Sequence, residues 1–238
     1  QYFNELYYLL EKYTSFIPSA TNVYPDISLF DHSKTTAALA SILSQLTKEE
    51  KHTGPEFILY GGDISGIQDY IFRISRAQGV GGIAKRLRGR SFYVSMLSEV
   101  LSRYLVRNLG LTIVNINFCG GGNFELILPN TEKTIKVLTE FEVKVNDWLL
   151  QEFGGNLDFV GAWVEMAKKE LLNTFSDKKN ELGDSLSFSK LRKYRTHLST
   201  NDFWIEKNSN EALSICPSCN INSIAREEAI CERCSLDK

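Results

Sequence analysis

Residues 112–129 read TIVNINFCGGGNFELILP, and this stretch decides the fold. Two apolar segments, 112–119 and 124–129, are separated by Gly120, Gly121, Gly122 and Asn123. A glycine-rich break of this kind between β-branched and aromatic runs predicts two antiparallel strands and a tight hairpin turn. Upstream, 56–60 is a short apolar run bounded by Gly54-Pro55 and Gly61-Gly62, which predicts a buried strand. Between these strands, Tyr93, Leu97, Val100, Leu101, Tyr104 and Leu105 fall on one helical face. Beyond the hairpin, Ile135, Leu138, Phe141, Val145, Trp148 and Leu149 mark a second amphipathic helix, and 158–166 supplies a last strand. The order βαββαβ is that of an α+β, ferredoxin-like fold, the split βαβ unit. Nucleotide-polymerising palms, nucleotidyl cyclases and RNA-recognition modules all use this core, so the fold alone does not decide function.

Glycine placement divides the 238 residues into three. None of the 16 glycines lies in 1–53, and only Gly183 lies beyond Gly161. The segment 1–53 reads as helix, loop, helix, with Pro18 and Pro25 bracketing the loop and Asp31 or Ser33 placed to cap the second helix. Two helices close no core of their own, so this segment is read as the tail of a domain cut off upstream. Residues 54–166 form the ferredoxin-like domain. Residues 167–238 are polar, helical to about Lys179, and end in a cysteine-rich module. With 27 basic and 29 acidic residues, the net charge of −2 argues against nucleic-acid or membrane binding by bulk charge. No apolar run approaches the ~18–20 residues of a membrane span.

Four features carry chemistry. Cys216-Pro-Ser-Cys219 and Cys231-Glu-Arg-Cys234 present two Cys-x-x-Cys pairs, a donor set that suits tetrahedral Zn²⁺ in a structural site. Two disulfides or a redox dithiol are the alternatives. Next, Gly61-Gly62-Asp63-Ile64-Ser65-Gly66-Ile67-Gln68 ends a strand on an acid and starts a helix directly after it. Backbone N–H groups at that helix start suit a phosphate, and Asp63 is placed to hold a divalent cation. Ser65 and Gln68 equally fit a capping box, which needs no ligand. Third, the hairpin tip lacks the carboxylates that metal-assisted phosphoryl transfer requires, since Asn123 carries no charge and Glu125 is the nearest acid. Fourth, 73–90 holds Arg73, Arg76, Lys85, Arg86, Arg88 and Arg90 and no acid, which predicts a phosphate or RNA contact. His32 is read as helix-cap chemistry and Cys119 as a small buried residue.

Together these residues resemble the large subunit of type III CRISPR effector complexes of the Csm type. Three stretches carry the likeness: PDISLFDHSKTTAA at 25–38; GDISGIQDYIF at 62–72 with LRGRSF at 87–92 and GGGNF at 120–124; and the paired Cys-x-x-Cys. The resemblance implies the end of an HD domain, a first palm domain and a zinc module. It implies a parent that cleaves single-stranded DNA and makes cyclic oligoadenylate from ATP with Mg²⁺ or Mn²⁺. The implied setting is a cytoplasmic complex with other effector subunits, CRISPR RNA and target RNA. The family's catalytic His-Asp motif and its Gly-Gly-Asp-Asp hairpin do not occur in these 238 residues, so the expectation is that the chain is inactive alone. By motif, Asp63, Ser65, Gly66 and Gln68 are expected to line an ATP site shared between palms. The alternative is an RNA-binding ferredoxin-like module with a zinc knuckle, which requires Phe118 and Phe124 displayed on the sheet for base stacking.

Overall fold

A computed structural model describes residues 2–22, 24–47, 54–72, 83–198, 214–218, 223–224 and 229–236. Its centre is a four-stranded antiparallel sheet in the order β2-β3-β1-β4, formed by β1 (Phe57–Ser65), β2 (Ile116–Gly120), β3 (Asn123–Pro129) and β4 (Asp158–Met166). This is the strand order of the split βαβ unit. The central strand runs five residues beyond the 56–60 of the sequence reading. Gly61 and Gly62 do not end it, because they pair with Glu125 and Phe124 on one side and Ala162 and Gly161 on the other.

Each face of the sheet carries its own core. On the first, α4 (Ile83–Asn108) and α5 (Glu132–Phe153) bring Leu97, Leu101, Leu105, Leu138, Phe141 and Leu149 onto Ile58, Tyr60, Phe124 and Phe159. Thr131 caps α5, accepting from Thr134 N at 3.1 Å, and Gly154 closes it in the left-handed conformation. On the second face, Ile42 and Leu46 of α2 (Leu29–Leu46) and Leu182 of α7 (Phe175–Lys190) pack onto Phe57, Leu59, Ile127, Val164 and Met166. The flanking segments thus share the sheet's core. α7 extends the C-terminal helical stretch well past Lys179, after a short α6 (Lys168–Asn173). The first helix, α1 (Tyr2–Thr14), buries no residue and touches α2 through Tyr7 against Phe30.

Two segments differ locally from the pattern the sequence predicts. Ser28, not Asp31 or Ser33, caps α2: its hydroxyl accepts from Asp31 N at 3.0 Å and donates to the Asp31 carboxylate at 2.7 Å. His32 lies within the first turn, its N–H donating to the Ser28 carbonyl. The segment before β2 is a 3₁₀ turn, Ile113–Asn115, rather than strand. The buried Asn115 amide causes this. It donates to the carbonyls of Ala38 (3.4 Å) and Ile127 (3.2 Å), and its oxygen accepts from Ser41 (3.3 Å). A strand would turn that side chain away from partners it needs while buried.

β4 lies at an edge, and α5 covers its backbone. Asn146 accepts from Phe159 N and donates to Phe159 O, both at 2.8 Å, and the Glu142 carboxylate accepts from Gly161 N–H. Capping an edge in this way blocks pairing with another chain. Burial pushes the Glu142 carboxyl up, partly offset by the Gly161 bond and Arg195.

Ile42→Ala should destabilise the chain by about 2–5 kcal/mol in chemical denaturation, as for a buried core residue. A negligible loss would show α2 to be peripheral. Because the folded pKa of Glu142 is raised, its contribution favours folding below the unfolded value and is lost as pH rises through the folded one. Glu142→Gln should therefore be more stable than the parent at alkaline pH, with the difference shrinking toward pH 4. Melting curves across pH check the sign.

Candidate nucleotide and metal sites

The end of β1 and the hairpin tip form one unit. Asp63 sits directly opposite Asn123, and Ile64 N donates to the Gly122 carbonyl at 2.9 Å. Gly122 has φ +93°, and a Cβ there would meet Ile67 Cδ1 at 2.2 Å, so only glycine fits. The turn itself is the two residues Gly121-Gly122, both with positive φ, as a tight hairpin requires. Ile67 opens α3 (Ile67–Phe72), whose first intrahelical bond runs from Tyr70 N to the Gly66 carbonyl.

This geometry settles the capping-box reading. The residue at the helix cap is Gly66, with φ +86° against the Asn156 carbonyl. Ser65 belongs to β1, opposite Asp158, and donates its hydroxyl to Asp63 Oδ1 at 3.4 Å. Ser65 is thus one position too early to cap α3. Gln68 is exposed on the helix surface.

Asp63 is buried and engaged. Lys190 Nζ donates to its Oδ2 at 2.8 Å. The pattern repeats across the same sheet face. Lys179 Nζ lies 3.4 Å from Glu125 Oε2, and Lys193 Nζ lies 2.6 Å from Asp158 Oδ1. Glu125 also accepts from Asn117. Three sunken carboxylates therefore face three half-exposed lysines from α7 and the turn after it. Exposed pairs contribute little, but stripping a lysine from a buried carboxylate leaves an uncompensated charge, which is costly.

A concave feature lies elsewhere. A cleft of about 330 Å³ runs along the outer edge of β4, lined by Glu142, Trp163, Phe188, Arg192 and Arg195 among others. Arg192 stacks on Phe188 at 4.1 Å. None of Asp63, Ser65, Gly66 or Gln68 lines it.

In the C-terminal module, β5 (Ser214–Ile215) pairs with β6 (Ser223–Ile224), and a short helix, Glu232–Leu236, follows. The sulfurs of Cys216, Cys231 and Cys234 lie within 4.8 Å of one another, all buried. Among the described residues no other group of three or more His, Cys, Asp or Glu donors converges so closely. Cys231 N donates to Cys216 Sγ at 3.2 Å and Cys234 N to Cys231 Sγ at 3.5 Å. Backbone N–H groups aimed at sulfur suit thiolates bound to a metal. These three cysteines form no disulfide with one another. Cys219 lies outside the described residues.

The basic stretch divides in two. Arg73 and Arg76 lie outside the described residues, and Lys85 and Arg88 are exposed on α4. Arg86 and Arg90, expected at a phosphate, are instead buried at 1% and 3% exposure. Arg86 Nη1 donates to Ser218 Oγ at 2.9 Å, and Arg90 Nη1 to the Tyr70 carbonyl at 2.7 Å. The helical period turns residues 86 and 90 inward while 85 and 88 face solvent. Phe124 is buried and stacks on Phe159 at 5.9 Å, whereas Phe118 is exposed on the edge strand. Because Phe124 belongs to the core of the first face, the two rings do not form a stacking platform.

A family model described as Csm1 subunit domain B matches residues 56–209. The chain is 33% identical over 268 residues to a "CRISPR system single-strand-specific deoxyribonuclease Cas10/Csm1 (subtype III-A)" of Mycobacterium tuberculosis, covering 98% of the chain and 32% of that protein. It is 32% identical over 251 residues to the protein of that name from Streptococcus thermophilus, covering 95% and 32%. The chain thus spans about a third of the length of these curated relatives. A Csm1-Csm4 cassette crystallised in complex with one ATP aligns at a TM-score of 0.71 with 30% identity, over 84% of the chain and 28% of that one. The apo cassette aligns at 0.70 with 31% identity, over 80% and 27%. In sequence and in fold, the chain belongs to the Cas10/Csm1 family, the large subunit of type III-A CRISPR complexes.

Proposed function

We propose that this chain is the first palm and zinc module of such a large subunit, and that the palm contributes one half of an ATP site. The observation that carries the reading is the register of Asp63 against Asn123, which brings the strand-end acid and the hairpin tip to one point of the sheet. Solved relatives bound to ATP and to AMPPNP support it. Asp63 would hold Mg²⁺ or Mn²⁺ of the nucleotide, exchanging Lys190 for the cation, with Ser65, Gly66 and Gln68 around it. Arg88 and Lys85, and by sequence Arg73 and Arg76, would reach phosphate or RNA. The turn Gly121-Gly122 and its neighbour Asn123 bring no carboxylate, so the parent's cyclic oligoadenylate synthesis needs acids from elsewhere in the complex. Other effector subunits, CRISPR RNA and target RNA complete the assembly, in the cytoplasm. The relatives crystallised with Csm4 support the subunit contact. No helix among the described residues is long and apolar enough to cross a membrane.

The donor chemistry of the cysteine cluster fits Zn²⁺: Cys216, Cys231 and Cys234 converge, and Cys219 supplies the fourth thiolate by spacing. A four-thiolate ion keeps no open position, so its chemistry is structural. The RNA-binding module is the weaker reading, because Phe124 is a core residue.

The chain should bind Mg-ATP weakly in calorimetry. Asp63→Asn and Arg88→Glu should each weaken it by about 1.5–3 kcal/mol, the scale of one charge-assisted contact. Binding unchanged in both would overturn the nucleotide reading. The chain as purified without chelator should carry one zinc, and Cys231→Ser should lose it while the sheet still unfolds in a cooperative melt. Metal analysis beside melting curves checks this, and a zinc-free chain would contradict it.

A further inference from the structure

We propose that Arg86 and Arg90 are the built-in counter-charge of the metal centre, so that loading the metal and docking the C-terminal module onto the palm are one event. The inference rests on the zinc reading above and adds two residues to it. A divalent ion held by four thiolates carries a net charge of about −2. Cys216 and Cys234 are both 0% exposed, so this charge sits where water does not screen it. A buried charge of that size needs a partner of opposite sign.

α4 delivers one. Residues 86 and 90 are four apart, hence one above the other on the same helix face. Arg90 Nη2 lies 3.6 Å from Cys234 Sγ, and Arg86 Nη1 holds Ser218, a fully buried residue of the first cysteine knuckle. Guanidinium groups do not lose their proton in proteins, so both are permanent cations. Burying them against neutral thiols would be costly, as would burying the loaded centre without them.

The same guanidinium reaches the nucleotide motif. Arg90 lies between Cys234 and Tyr70, with its Nη1 on the Tyr70 carbonyl and its Cζ 5.1 Å from the centre of the Tyr70 ring. Tyr70 lies in α3, which starts immediately after Gly66. Metal occupancy therefore biases the helix that carries Gln68, and by reciprocity the palm biases metal affinity.

The test measures zinc release from the loaded 238-residue chain into excess chelator. Arg90→Gln and Arg86→Gln should each speed release at least tenfold, and Arg90→Lys, which keeps the charge, should do so less. Arg107→Gln, an exposed position of the same helix, should release zinc as the parent does. A second readout is amide exchange over residues 67–72, which should quicken when zinc is stripped from the parent chain. If the chain holds no zinc at all, the metal reading fails, and this inference with it. If zinc is bound but release by both glutamine variants stays within twofold of the parent, only this inference is overturned. Should those variants fail to fold, unchanged exchange over 67–72 on stripping the parent overturns the coupling by itself.

Discussion

The structure depends on β1 being buried on both faces at once. It pairs with β3 and β4, and its side chains alternate between two separate cores. Gly61 and Gly62 make this possible near the site. A Cβ on Gly61 would meet Leu186 of α7 at 2.8 Å, and one on Gly62 would meet the Phe124 ring at 2.3 Å. With both positions bare, a helix closes one face and an aromatic stack closes the other. Asp63 is the next residue, so the acid is held between layers that cannot shift independently.

Charge organises the second face as firmly as apolar contact does. Toward the middle of the sheet, Leu59, Ile127 and Val164 meet Ile42 and Leu182. Toward its end, Asp63, Glu125 and Asp158 meet Lys190, Lys179 and Lys193. Along one face the contacts thus change from apolar to ionic toward the end of the sheet. The lysines are the half-exposed partners, reaching in on long stems, while the carboxylates are carried on the strands.

The strand order and the two helices on the first face were legible because the hairpin 112–129 and the apolar periods of 90–109 and 135–149 are local signals. Which segments close the second face was not, since Ile42 and Leu182 declare only that they are apolar, not against what. The roles of Arg86 and Arg90 failed for the same reason. A run of six cations without acids looks like a solvent-facing clamp, and the partners that hold two of them inside, Ser218 and Cys234, lie 132 and 144 residues away. The capping box at Ser65 misled because β1 runs through Ser65 and α3 starts at Ile67, one residue later than the box requires. The 3:4 period did carry the missed signal: residues 86, 90, 94, 97, 101 and 105 form one buried stripe that includes both arginines.

The account places nucleotide binding at the sheet end rather than in the cleft along β4. Mapping backbone amide shifts by NMR while Mg-ATP is added separates the two. The account predicts the largest changes at residues 61–66 and 121–124. Changes confined to 139–146 and 188–195, with the sheet end unmoved, would contradict it.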